Sequence, residues 1–263
     1  MLLTIDVGNT NITLGVFKDR FLLSQFRLTS KMARTSDEYG VIICNLLEHN
    51  NIPISEVEDV IVASVVPNVM HSLLSAIIKY MDIKPVVIEA GIKTGIRIAI
   101  ENPRQLGADR IVDAVAAYEL YGGPVIVIDF GTATTYDMVD KDGTFFAGVT
   151  APGLQTCANA LSGAAAKLPD VEITKPKTIL AQETITSMQA GLFFGQVGQT
   201  EYIVKNMKAE SKLDDVKVVA TGGLGTIIAN ETDVIDIYDP TLTLHGMRLI
   251  YEKQKRRPKR RKA

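Results

Sequence analysis

The chain has 263 residues, of which 46% are hydrophobic and 22% charged, and a formal net charge of −2, so it can bury a substantial core and has room for one large domain or two modest ones. Its two cysteines, Cys44 and Cys157, stand far apart without C-x-x-C spacing, which points away from a disulfide framework or zinc site and toward a reducing, cytoplasmic setting. Asp6 interrupts the first apolar run, and the longest uncharged stretch, Phe145 to Ala166, holds Pro152, Gln155 and Asn159, so neither a secretory leader nor a membrane span is expected.

In chain order, apolar alternation and turn residues predict strands near 2–7, 12–18 and 21–28, joined through "GNTN" and "KDR". A helical pattern follows from Ser36 to Asn50, then a strand at "DVIVASV", a helix opened by Pro67 and running to about Met81, and a strand at "PVVIEA". After a loop, "GADRIVDAVAAYELYGG" carries apolar residues at helical spacing and stops at a double glycine, a plausible boundary. Beyond it the opening returns: "VIVIDFGTATTYDMVDKDGTFFAGV" lies over "LLTIDVGNTNITLGVFKDRFLLSQF", with Asp6 answered by Asp129 and Gly8 by Gly131. The rest predicts helices around 153–166 and 183–208, a strand at "VKVVATGG", a short helix, a strand at "VIDIYD" and a last helix from Thr241 to about Lys255. A duplicated β-β-β-α-β-α plan gives lobes over 1–121 and 122–252 that would enclose a cleft.

The remaining segment, 253–263, reads "KQKRRPKRRKA" with eight basic residues and no acidic one, which leaves the rest of the chain near −10. Such a run could grip nucleic acid or an anionic membrane, but it reads first as a solvated, disordered terminus. No membrane partner is expected, and nucleic acid only as a weak contact through this tail.

Three clusters carry chemistry. In the first turn, Gly8 lets the backbone approach a ligand, and Asn9, Thr10 and Asn11 can donate to phosphate oxygens. Asp6 could hold a hydrated Mg²⁺ that bridges phosphates, since Mg²⁺ keeps several waters and takes one or two carboxylates; the alternative is that Asp6 and Asn9 only satisfy turn backbone. Asp129 ends an apolar strand, where an unpaired carboxylate is costly and a cation is a natural partner, and Thr132 is placed to donate to a phosphate; here too turn capping is the alternative. In "NPRQLGADR", Asp109 and Arg110 open a helix. Asp109 either caps it or accepts the proton of a substrate hydroxyl, with Arg110 pairing an anionic substrate group.

"TGGLGT" after a strand, with Asp236 and Asp239 further on, matches a dinucleotide fingerprint poorly: Ile228 stands where the third glycine belongs. Glycines that admit a nucleotide base or ribose fit the two-lobed plan better. There is no P-loop, and His49, His71 and His245 lack metal-ligand spacing.

"DVGNTN", "NPRQLGADRIVDA", "DFGTATTYD", "ETITSMQAGLFFG" and "TGGLG", in this order from Met1 to about Lys255, resemble the type III pantothenate kinases of the actin-like, acetate and sugar kinase superfamily. The resemblance implies an α/β fold of two tandem ribonuclease H-like (actin-like ATPase) domains with a central cleft, and transfer of the ATP γ-phosphate to the primary hydroxyl of pantothenate, the first step toward coenzyme A. It implies an ATP phosphate loop of Asp6, Val7, Gly8, Asn9, Thr10, Asn11, Ile12 and Thr13, with Mg²⁺ held through water at Asp6. Asp109 would be the proton acceptor within a substrate segment of Gly107, Ala108, Asp109 and Arg110, while Thr132 would contact ATP. Asp129 would ligate a monovalent cation, K⁺ or NH₄⁺, and Thr184 would line a pantothenate pocket completed across a homodimer. Many members carry Tyr where this chain has Ile100, which bears on substrate preference rather than on the reaction. Two alternatives stay open: a kinase for another small hydroxylated acid or sugar, and a non-catalytic nucleotide-dependent switch.

Overall fold

A computed structural model of the chain describes residues 1–89 and 91–255. The basic segment read over 253–263 falls outside the described residues from 256 onward. The chain opens with β1 (Leu2–Val7), β2 (Asn11–Lys18) and β3 (Phe21–Thr29), followed by α1 (Ser36–His49), β4 (Asp59–Ser64), α2 (Pro67–Met81) and β5 (Val86–Val87). These strands form one mixed sheet in the order β3-β2-β1-β4-β5. Residues of β1 are almost all buried, whereas β3 at the edge alternates between exposed and half-buried, as a central and an edge strand should.

Local chemistry starts the helices. Thr35 and Glu38 form a reciprocal capping box on α1, with the Thr35 N–H donating to Glu38 Oε2 at 2.7 Å and the Glu38 N–H to Thr35 Oγ1 at 3.3 Å, so first-turn amides are satisfied from within. Those hydrogen bonds also hold the Glu38 carboxyl below its usual pKa. Pro67 stands at the first position of α2, where its missing N–H costs nothing. Tyr39, Ile43 and Leu47 of α1 and Leu73, Ala76 and Ile77 of α2 bury against Leu3, Ile5, Ile12 and Leu14 of the sheet.

The second sheet is built from β6 (Arg97–Ile98), β7 (Val125–Phe130), β8 (Ala133–Val139), β9 (Thr144–Pro152), β10 (Lys217–Thr221) and β11 (Ile237–Tyr238), with α3 (Ala108–Tyr121), α4 (Leu154–Ala164), α5 (Thr184–Ser211), α6 (Gly225–Ala229) and α7 (Leu242–Lys255) between and after them. Its order is β11-β10-β7-β8-β9-β6. Without β6 this reproduces the first sheet strand for strand, β9-β8-β7-β10-β11 standing for β3-β2-β1-β4-β5.

The repeat extends to register. Asp6 lies opposite Thr13 on the antiparallel side and Ala63 on the parallel side; Asp129 lies opposite Thr135 and Thr221 in the same way. The second turn is one residue shorter, so 123-residue spacing holds up to the turn and slips by one after it. Both hairpins carry a bulge at the matching place, after Val16 in β2 and after Met138 in β8. Even the brace under each turn recurs: the Ser30 N–H donates to Thr10 O, and the Gly153 N–H to Thr132 O, both at 3.1 Å. A bulge and a brace at equivalent positions have no reason to coincide in unrelated hairpins, so the two halves share one plan.

Contacts divide the chain into two units. One comprises Met1–Gly95, Asn102–Ala116 and the described residues from Thr243; the other comprises Ile96–Glu101 and Ala117–Leu242. The strand β6, which the sequence reading left as loop, therefore belongs with the second unit. It pairs in parallel with the start of β9 through only two residues, too few for alternation to register. The strands read at "PVVIEA" and "VIDIYD" shrink likewise to two residues each, while α5 runs to Ser211.

Candidate active site

In the first unit, β1 and β4 run parallel and end side by side, and in open α/β sheets such carboxyl ends are where ligands bind. The turn after β1 closes main chain to main chain, the Gly8 N–H donating to Asn11 O at 2.9 Å. Val7 and Ile12 point into the core, Asp6, Gly8 and Thr13 are half-buried, and Asn9, Thr10 and Asn11 are exposed at the tip. Val7 and Ile12 can therefore offer a ligand only their backbone.

The segment Gly107 to Arg110 reaches the same edge. The Val65 N–H donates to Val7 O at 3.1 Å, and Gly107 packs on Val65, whose Cγ1 lies 3.6 Å from where a methyl on Gly107 would sit. Asp109 folds back over Gly107 so closely that the same methyl would collide with its Oδ1. Gly107, Ala108, Asp109 and Arg110 are all half-buried. Asp109 falls in the first turn of α3 rather than at its cap, and its Oδ1 accepts the Arg110 N–H at 2.8 Å. A half-buried carboxylate in the first turn of a helix has the position that a proton acceptor for an alcohol requires.

In the second unit Asp129 is the penultimate residue of β7, half-buried, between two glycines. A methyl on Gly131 would stand 3.1 Å from its Oδ2, and one on Gly222 would stand 2.5 Å from its Oδ1 and 2.6 Å from the Phe130 nitrogen. Gly222 has φ +97°, in the region that disfavours any side chain. Thr132 is exposed, and its carbonyl is held on the far side by the Gly153 N–H at 3.1 Å and the Thr156 hydroxyl at 2.6 Å. The start of α4 thus anchors the turn from behind, an anchor the sequence reading missed.

The remaining sequence-derived positions are placed as follows. Thr184 is the first residue of α5 and exposed. Ile100 follows β6, half-buried, just past the Ala99 N–H that donates to Phe145 O at 2.8 Å. Asp236 and Asp239, which could have suited a ribose, are committed to structure. Asp236 Oδ2 accepts the Val218 N–H at 2.7 Å, and Asp239 accepts the Tyr121 hydroxyl at 2.9 Å and both the N–H and hydroxyl of Thr241. Burial first, and then that bond to Asp239, push the Tyr121 phenol up to about 12, so it stays a neutral donor. Among the described residues no group of three or more His, Cys, Asp or Glu side chains could hold a metal, and no helix is long and apolar enough to cross a membrane.

Comparison with known proteins agrees with this geometry. The profile of the family described as type III pantothenate kinase matches residues 2–206. A type III pantothenate kinase of Agathobacter rectalis is 62% identical over 257 residues, covering 98% of this chain and 99% of its own. One from Bacillus cytotoxicus is 49% identical over 253 residues, 96% of each chain. Among solved structures, a Sinorhizobium meliloti protein described as a candidate 2-dehydro-3-deoxygalactonokinase superposes over the whole of both chains with TM-score 0.61 at 14% identity, a likeness of fold alone, here the actin-like ATPase and sugar kinase fold. With the family profile matched over residues 2–206 and relatives matched nearly end to end, the chain belongs to the type III pantothenate kinase family.

Proposed function

We propose that, in the ATP-dependent phosphorylation of pantothenate that this family carries out on the path to coenzyme A, Asp109 accepts the proton of the pantothenate primary hydroxyl. As that proton moves to the carboxylate, the hydroxyl oxygen forms its bond to the γ-phosphorus and the bond to the departing ADP oxygen breaks. Phosphoryl transfer of this loose kind needs positioning more than strong basicity, so a well-positioned carboxylate is adequate. Arg110 pairs with the pantothenate carboxylate, and Thr184 contributes to the same substrate's pocket. The observation that supports the reading is the run of contacts from Val7 through Val65 to Gly107, which links the segment of Asp109 to the end of β1, where residues 6–13 are proposed to bind the ATP phosphates.

Two cations fit residues present. Asp6 offers a single carboxylate at the phosphate turn, the donor set of a Mg²⁺ that keeps its water and neutralises phosphate charge. Asp129, with Gly131 and Gly222 close beside its carboxylate, is the acid proposed to hold K⁺ or NH₄⁺, with Thr132 on the nucleotide. The test is steady-state kinetics with ATP, Mg²⁺ and either K⁺ or Na⁺, offering pantothenate beside other small hydroxylated acids and sugars. Turnover is expected with pantothenate, to depend on K⁺, and to lose that dependence in Asp129→Asn. Turnover without any acceptor, or equal turnover in K⁺ and Na⁺, would refute the assignment.

The working unit is proposed to be a homodimer, in a cytoplasmic setting. On α5, Thr184, Gly191, Gly195, Gly198 and Tyr202 are all exposed and recur at helical spacing along one face, and nothing stands within 4 Å of a methyl added at any of the three glycines. Small residues let a second helix approach closely, and an isologous contact there would bring Thr184 of both copies to the interface. Gly195→Lys is expected to yield a folded monomer of low activity, read by sedimentation velocity; a dimer of wild-type activity would contradict this interface.

A further inference from the structure

We infer that Tyr238 is a positioning residue for the Asp129 cradle, its hydroxyl fixing the Gly222 peptide against the carboxylate. The inference rests on the reading that Asp129 holds the monovalent cation. Tyr238 lies on β11, which pairs in parallel with β10, opposite Ala220. From there its hydroxyl donates to Gly222 O at 2.7 Å, and its ring packs on Gly225, where a methyl would stand 2.5 Å from Cε2. Phe130, next to Asp129 in β7, closes the other side of Gly225, with its Cδ2 at 3.0 Å from the same point. The turn from Gly222 to Gly225 is therefore held between an aromatic ring from β11 and one from β7.

Glycine at positive φ is the residue with most freedom to reorient, and Gly222 is the one where an added methyl would meet Asp129 Oδ1 at 2.5 Å. A peptide left free at that point would let the carboxylate swing and would blur the spacing that a cation of one size needs. Its carbonyl accepts twice, from the Gly225 N–H at 3.1 Å and from the Tyr238 hydroxyl. The first bond makes the turn; the second ties it to the sheet. Removal of the hydroxyl alone leaves the turn bond and the ring packing, so Tyr238→Phe is expected to fold while the cradle loosens.

In the full-length Tyr238→Phe enzyme, the K⁺ concentration for half-maximal activity and the KM for ATP are expected to rise by about fivefold to tenfold, the loss of one hydrogen bond. The KM for pantothenate should stay within about twofold, kcat should recover at saturating K⁺ and ATP, and the melting temperature should hardly move. Unchanged K⁺ and ATP constants, or a rise shared equally by pantothenate, would overturn the inference. Asp129→Asn, assayed alongside, separates the two levels. If it abolishes K⁺ dependence while Tyr238→Phe is silent, the role of Tyr238 alone is wrong; if K⁺ dependence survives it, the cation reading fails and this inference with it.

Discussion

Asp109→Asn is expected to lower kcat by about 10²- to 10⁴-fold, the usual contribution of a positioned proton acceptor, with the KM for ATP nearly unchanged. The amide oxygen can still accept the Arg110 N–H, as Asp109 Oδ1 does at 2.8 Å, so the start of α3 keeps its hydrogen bond. What disappears is the negative charge, worth about 0.3–1 kcal/mol to the helix start, and the capacity to take a proton. Stability should therefore fall little while turnover collapses. Retention of more than about a tenth of wild-type kcat would reduce Asp109 to the capping role its place in the first turn also allows. Pre-steady-state measurement of ADP formation checks that the loss lies in phosphoryl transfer rather than in release.

Gly222→Ala combines two penalties that another glycine allows to be separated. Its φ of +97° strains any side chain, and the new methyl would sit 2.5 Å from Asp129 Oδ1 and 2.6 Å from the Phe130 nitrogen. The backbone of β7 cannot yield without breaking its ladder to β10, where Asp129 lies opposite Thr221. A loss of about 2–4 kcal/mol of stability is expected, with the KM for ATP raised at least tenfold. Gly122→Ala carries similar strain, φ +82°, but nothing lies within 4 Å of its methyl, so about 1 kcal/mol and wild-type kinetics are expected. Urea denaturation and steady-state assays of both variants check this. Equal effects at the two positions would mean that the cradle around Asp129 is not tightly closed.

Much of the molecule is legible in the amino-acid sequence, because local signals and the fold agree. Alternation in "LLTIDV" and "FLLSQFRLT", the helical pattern from Ser36, Pro67 opening α2 and the recurrence of Asp-x-Gly after an apolar strand are short-range properties, and each element they predict is present. Those same signals set the duplicated plan and the two acids, Asp6 and Asp129, at matching strand ends. Elements of two residues are another matter: β5, β6 and β11 carry too few positions for any period, and only pairing with a longer neighbour makes them strands.

The chemistry divides in the same way. The sequence by itself determined where an acid ends a buried strand and where glycines open a turn, since these features are constrained by their own neighbours. Only the tertiary structure decided that Gly222 closes on Asp129, that Thr156 braces Thr132 and that Gly107 seats Asp109 against Val65. The pairs Gly222–Asp129 and Gly107–Val65 join residues far apart in the chain, and Thr132–Thr156 joins a turn to a helix beyond the next two strands. Such contacts form only once β10 pairs with β7, Gly107 reaches Val65 and β9 returns along β8, because close approach depends on the fold that brings two segments together and on no property of either segment alone.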